Sequence, residues 1–159
     1  MEQDLTVLDD PNRLVALRSY EILDTPPEPA FDRLVQLAAQ ICQTPIATIT
    51  LVDEKRQWFK AKVGFTEGET PREIAFCAWA ICQPDLFVVP DASKDERFAT
   101  NPLVTHAPHI RFYAGAPLVT QEGHGLGTLC VIDRVPRALT PEQEQALRVI
   151  GREVVSELE

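Results

Sequence analysis

Hydrophobic and polar positions along the chain follow two rhythms, and the switches between them divide it into elements. Near the start, Leu14, Leu17 and Ile22 mark a short helix after "DDPN", where Pro11 suits a first helical turn. Phe31, Leu34, Val35, Ala38, Ile41 and Cys42 then form one apolar stripe at helical spacing. Thr25 and Glu28 stand in front of it with capping-box spacing, Pro26 and Pro27 fit a helix start, and Pro45 ends the helix. From there the period shortens to two. "IATITLVD" (46–53) alternates and is rich in β-branched residues, which predicts a strand; the polar "DEKR" turns the chain into a second strand, "QWFKAKVG".

A second capping signal, Thr70-Pro71-Arg72-Glu73, predicts the opening of a helix that carries "FCAWAIC" (76–82). "LFVVPD" reads as a short strand ended by Pro90. After it comes a turn-rich connection of about twenty residues, "DASKDERFATNPLVTHAPHI", a length that in compact domains usually has a functional reason. "RFYAGAPLVT" and "GLGTLCVID" are strands on either side of the turn "QEGHG". The last helix, "LTPEQEQALRVIGREVVSELE", has Thr140 as cap, Pro141 at its first position and Gln143 at its third. Hairpins near both ends of this order imply an α+β fold, an antiparallel sheet with helices packed on it.

Composition narrows the class. A length of 159 residues supports one domain with a real core, organised as an N-terminal helical segment (1–24) and a main unit (25–159). With 24 acidic against 15 basic residues, the net charge is −9 and no basic cluster relieves it. That argues against a nucleic-acid partner or an anionic membrane surface. No apolar run approaches the roughly 18 residues of a membrane helix, so membrane insertion is not expected. The start, "MEQDLTVLDDPNR", lacks the pattern of a signal peptide. Four cysteines without paired short spacings read as reduced thiols in a cytoplasmic chain.

Candidate chemistry is sparse. Cys77 and Cys82, five helical steps of about 100° apart, would point about 140° away from each other, so one helix cannot bring them to a shared metal or a mutual disulfide. Cys42 and Cys130 sit within apolar stretches and read as core. His106 and His109 are spaced H-x-x-H, but Pro108 and the loop around them do not make a rigid ligand pair; His124 lies in a turn. "GHGLG" leads into a strand and not a helix, so it does not form a phosphate cradle. Asp95 and Glu96 are adjacent loop carboxylates. No catalytic residue, metal site or resident cofactor is expected.

The order of elements and several strings resemble the GAF domain, a sensory module of bacterial histidine kinases, diguanylate cyclases and related signalling proteins. The strings are "LRSYEILDTPPEPAFDRLVQLAA", "ITLVDEKRQWFKAKVG", "TPREIAFCAWAI", "VVPDASKDERFATNPLVT", "IRFYAGAPLVT" and "GLGTLCVIDRVPRALTPEQ". The resemblance implies a GAF-like, PAS-related central antiparallel sheet of five or six strands with helices on both faces and a pocket beneath the "FCAWAI" helix. It implies a non-catalytic sensory or regulatory role, with a small ligand or a partner bound and the signal carried through terminal helices to an output such as a histidine kinase. Relatives often carry a histidine where this chain has Trp79. The cyclic-nucleotide signature N-K-x-F-x-D-E is absent, and neither Cys77 nor Cys82 is followed by the histidine usual at a bilin attachment cysteine. A cofactor-bearing bilin or redox sensor using Cys77 or Cys82 is the alternative, and a free methionine sulfoxide reductase a further one.

On that basis the expected pocket comprises Phe76, Cys77 and Trp79 from the helix, Phe98 and Asn101 from the long loop, and Phe112 and Tyr113 at the next strand. Aromatic walls with one or two amides suit a small organic ligand, and equally a plain core. In the last helix Leu147, Ile150, Val154 and Leu158 make a continuous apolar seam. Its second half runs past the expected sheet, which predicts a weak homodimer through the terminal helices.

Overall fold

Residues 6–159 are described by a computed structural model. Six strands, β1 (Ile46–Val52), β2 (Arg56–Val63), β3 (Glu69–Pro71), β4 (Phe87–Val89), β5 (Phe112–Val119) and β6 (Gly125–Asp133), form one sheet. Their order is β3-β2-β1-β6-β5-β4 and every neighbouring pair is antiparallel. All of β1 is buried because both faces of the sheet are covered. The alternation read from the sequence therefore separates two interiors rather than an inside from an outside. Ala47, Ile49 and Leu51 join one core, while Thr48 and Thr50 face the other way.

The first core lies under α2 (Pro29–Cys42) and α5 (Pro141–Leu158), with Leu17 of α1 (Pro11–Ser19) at its edge. The second lies under α3 (Phe76–Ala80), α4 (Pro102–Thr105) and the turns of the long connection. Caps are those the sequence predicts at α5, where Thr140 Oγ1 accepts from Gln143 N and Gln143 Oε1 accepts from Thr140 N. Asp10 caps α1 in the same sense. Between Ile49 and Thr50 the β1–β2 register slips, because Lys60 is an extra residue on β2. The bulge sends Lys60 to Thr25 Oγ1 (2.8 Å), the Pro26 carbonyl (2.7 Å) and Glu28, stitching the segment before α2 to the sheet.

Three expectations are corrected. Thr25 does not cap α2, which begins only at Pro29; the three prolines hold 26–29 extended and Thr25 Oγ1 bonds the Ile22 carbonyl and Lys60 instead. The Thr70–Glu73 signal does not open one long helix. Thr70 pairs with Gln57 in edge strand β3, a single 3₁₀ turn (Arg72–Ile74) follows, and α3 is five residues long, so Cys82 lies beyond it. The seam on α5 is not free. Leu147, Ile150 and Val154 are buried against α2 and the sheet, and Leu158 is half-buried on the same core, because α5 packs on α2, β5 and β6 together.

Candidate functional site

On the face beneath α3, the alternation of β1, β5 and β6 aligns Thr48, Thr50, Tyr113, Thr128 and Cys130, each at most 2 % exposed. Such hydroxyls and thiols need partners, and they find one another. Tyr113 Oη donates to Cys77 Sγ at 3.1 Å and Thr128 Oγ1 to the same sulfur at 3.0 Å. Thr48 Oγ1 lies 2.6 Å from Thr50 Oγ1 and 2.9 Å from Cys130 Sγ. Against this cluster is a cavity of about 30 Å³ touched by Thr50, Gln57, Phe76, Cys77, Tyr113 and Cys130. Gln57 donates to Thr70 Oγ1 at 2.5 Å, but its Oε1 has no hydrogen-bond partner among the described residues, although the residue is 5 % exposed.

The cluster shifts its own protons. Burial pushes the Cys77 thiol up, yet hydrogen bonds from Cys130, Thr128, Tyr113 and Thr50 outweigh it and bring its pKa down from 9.0 to about 7. Cys130 moves the other way: its hydrogen bond to Cys77 and its burial hold its proton well above the ordinary thiol value. Tyr113 is likewise pushed up, by burial and then by the negative charge that develops on Cys77. One sulfur is prepared to ionise while its neighbours stay protonated.

A lid of aromatic rings closes the site. Phe76 stacks on Phe98 with centroids 4.1 Å apart, and Phe76 and Tyr113 are 5.2 Å apart. The Arg97 guanidinium sits over Phe87 (4.9 Å) and Phe98 (5.4 Å), held by a fork on Asp95. Asn101 caps α4 through Leu103 N and reaches the Ile74 carbonyl at 3.1 Å, tying the long connection to the turn before α3.

Of the residues expected in a pocket, Phe76, Cys77 and Tyr113 meet at the cavity, and Phe98 backs Phe76. Asn101 is a structural link. Trp79 turns outward, edge-on to Phe98 and into a separate groove with Arg72, Lys55 and Leu8. Phe112 points through the sheet into the opposite core, because adjacent strand residues face opposite sides. The sequence reading missed Thr48, Thr50, Gln57 and Thr128, and took Cys130 for plain core. Their signal was threonine at every second position of an otherwise apolar strand, "TIT" in β1, with "TLC" in β6. His106 and His109 are exposed, and no group of three or more metal-ligating side chains occurs among the described residues.

A fold of this kind with its site under a short helix defines a class, and the chain belongs to the GAF domain family, whose model matches residues 26–158. The chain is 44 % identical over 139 residues to the Cyclic di-GMP phosphodiesterase PA2567 of Pseudomonas aeruginosa, covering 87 % of this chain but 24 % of that protein. It thus spans about a quarter of the length of this curated relative. Among solved structures it is similar to the GAF domain of an Acinetobacter phosphoenolpyruvate-protein phosphotransferase (20 % identity, TM-score 0.68, covering 94 % of this chain and 93 % of that one). A domain of a putative two-component sensor histidine kinase from Sinorhizobium meliloti is similar at 18 % identity, TM-score 0.63, covering 80 % and 88 %. These two likenesses concern the fold. No helix among the described residues is long and apolar enough to cross a membrane.

Proposed function

We propose that this chain is a non-catalytic sensory module that binds a small molecule at the Cys77–Tyr113 cavity and controls a signalling output through its terminal helices. The observation that carries this reading is the extent of the match to the phosphodiesterase: 44 % identity over nearly all of this chain, confined to 24 % of the relative. The shared portion is a GAF domain, and three quarters of the enzyme lies outside it. The output we favour is therefore hydrolysis of cyclic di-GMP by a separate catalytic region, in place of the histidine kinase expected from the sequence.

A drug-sized ligand needs about 300 Å³ or more, ten times the present cavity of about 30 Å³. Binding then entails outward movement of α3 and of the Arg97-clamped connection. The same figure weighs against a bilin on Cys77, and Cys82 lies outside the cavity. Since the α5 seam is buried, a weak homodimer through the terminal helices would use their exposed residues Val15 and Val149. Loss of dimer in sedimentation equilibrium on changing both to glutamate, with the fold intact, tests this.

The central test has two arms. Purified chain incubated with cyclic di-GMP and Mg²⁺ should leave the nucleotide intact; turnover would overturn the non-catalytic reading. A thermal-shift screen of nucleotides, amino acids and short-chain acids should yield a binder that raises Tm, since it stabilises only the folded state. Tyr113→Phe should reduce that shift. A shift that survives it unchanged moves the site elsewhere.

A further inference from the structure

Ligand binding makes no use of the thiol chemistry buried at the cavity. Cys77 Sγ receives two hydroxyl donors, Tyr113 at 3.1 Å and Thr128 at 3.0 Å, and hydrogen bonds of this kind favour a thiolate. Cys130 follows Thr128 by two residues on the same face of β6, and α3, which carries Cys77, packs on that strand. Both sulfurs border the cavity, whose volume of about 30 Å³ admits a molecule of water size but excludes bulky reagents. Gln57, which lines the same space, has a buried Oε1 with no partner among the described residues, an acceptor for a small O–H donor. Phe65 and Leu103, which also line the cavity, are half-buried and so reach both it and the surface.

We propose that Cys77 and Cys130 form a peroxide-reactive dithiol, oxidised in place by hydrogen peroxide to an internal disulfide. The Cys77 thiolate attacks one peroxide oxygen; an S–O bond forms as the O–O bond breaks, and the departing hydroxide takes the proton released when Cys77 ionised and leaves as water. Cys130 then attacks the sulfenic sulfur. The S–S bond forms, the S–O bond breaks, and the second hydroxide leaves with the Cys130 proton as water. The two thiols lose two electrons and the peroxide is reduced to two waters. Protonation of Cys130 until this second step suits it to resolve and not to initiate. A short α3 with few backbone bonds of its own can follow the sulfur, and the product pins it to β6.

The inference rests on the cavity and not on the ligand or the output, so it is tested without either. The folded chain is treated with hydrogen peroxide, then denatured and alkylated. The expected product has lost two hydrogens, has two of its four thiols protected, and yields a Cys77–Cys130 linked peptide that dithiothreitol releases. Cys42→Ser with Cys82→Ser should leave the reaction intact. Cys130→Ser should stop at a sulfenic acid on Cys77 that dimedone traps, and Tyr113→Phe should slow the first step about tenfold, the weight of about 1.4 kcal/mol. Before oxidation, a maleimide should label Cys82 well ahead of Cys77. Oxidation confined to Cys82 or Cys42, or Cys77 and Cys130 both still free while the protein remains folded, overturns the proposal. Either outcome leaves the thermal-shift screen on reduced protein unaffected.

Discussion

A Cβ at position 115 would lie 2.5 Å from Tyr113 Oη and 3.0 Å from two of its ring carbons. Glycine there lets the tyrosine ring lie across the sheet and bring its hydroxyl to Cys77. Gly115→Ala should therefore displace Tyr113 and cost about 1–3 kcal/mol in chemical denaturation, as an overpacked core does. It should also raise the Cys77 thiol toward its ordinary value, read by thiolate absorbance during a pH titration. The lowered Cys77 pKa has its own consequence for stability. Folded Cys77 ionises near 7 and unfolded near 9, so the folded state binds fewer protons between those values. Its contribution is full above about pH 9 and is lost as the pH falls through about 7. Cys130 and Tyr113, raised in the fold, act in the opposite sense once the pH exceeds their unfolded values. Wild-type stability should thus rise with pH from 7 to 9 relative to Cys77→Ser; equal slopes for the two would show that Cys77 stays protonated throughout. Little of this site was legible beforehand. Phe76, Cys77 and Tyr113 could be placed because a family pattern marks that helix and strand. The hydroxyl partners were hidden because a threonine in a strand reads as ordinary β propensity until its face is known to be buried.

Among the elements, those with long apolar periods were readable and those held by tertiary contacts were not. α2 and α5 carry their stripes in the sequence, and α5 carries its capping box as well. β3 is three residues long and exists because Gln57 and Thr70 pair, which no local pattern announces. The α5 seam was read correctly as apolar and assigned to the wrong cover, since helical spacing shows which face is buried but not what buries it. Leu147→Ala should accordingly cost about 2–5 kcal/mol and lower Tm in a concentration-independent way. A loss that varies with protein concentration even after Val15→Glu and Val149→Glu have removed the surface dimer would restore the dimer seam. The N-terminal elements depend on one buried cation. Arg13, 1 % exposed, donates to the Leu8 carbonyl through Nε (3.2 Å) and Nη2 (3.0 Å) and to the Gly125 carbonyl through Nη1 (3.2 Å). Replacing it by alanine strands two carbonyls and leaves a void, so a loss of about 2–3 kcal/mol is expected. Limited proteolysis should locate the loosening in residues before α2.

For the molecule as a whole, the two cores are separated by a single sheet, and alternate residues of the same strands face one and then the other. Tyr113 faces the cavity, whereas Phe112 and Ala114 beside it face the core under α5. Three residues beyond Tyr113 on β5, Ala116 meets Gly151 in the middle of α5, where an added Cβ would come within 3.3 Å of the Ala116 Cβ. Glycine removes the spacer between β5 and α5 at this point, so a movement of β5 at the cavity has a direct contact through which to reach the C-terminal helix. Gly151→Ala separates the two effects of that glycine. Alanine gains about 1 kcal/mol in helix propensity, while crowding against Ala116 pushes α5 outward by a few tenths of an ångström and takes back an amount of the same order. Global stability should then change by less than about 1 kcal/mol. The coupling should not survive equally well. In hydrogen exchange, Tyr113→Phe in the wild-type background should alter protection along residues 147–155 of α5, and in the Gly151→Ala background that response should shrink. An α5 whose exchange ignores the cavity in both backgrounds would mean that the sheet insulates its two faces, and that any signal leaves by the N-terminal elements instead.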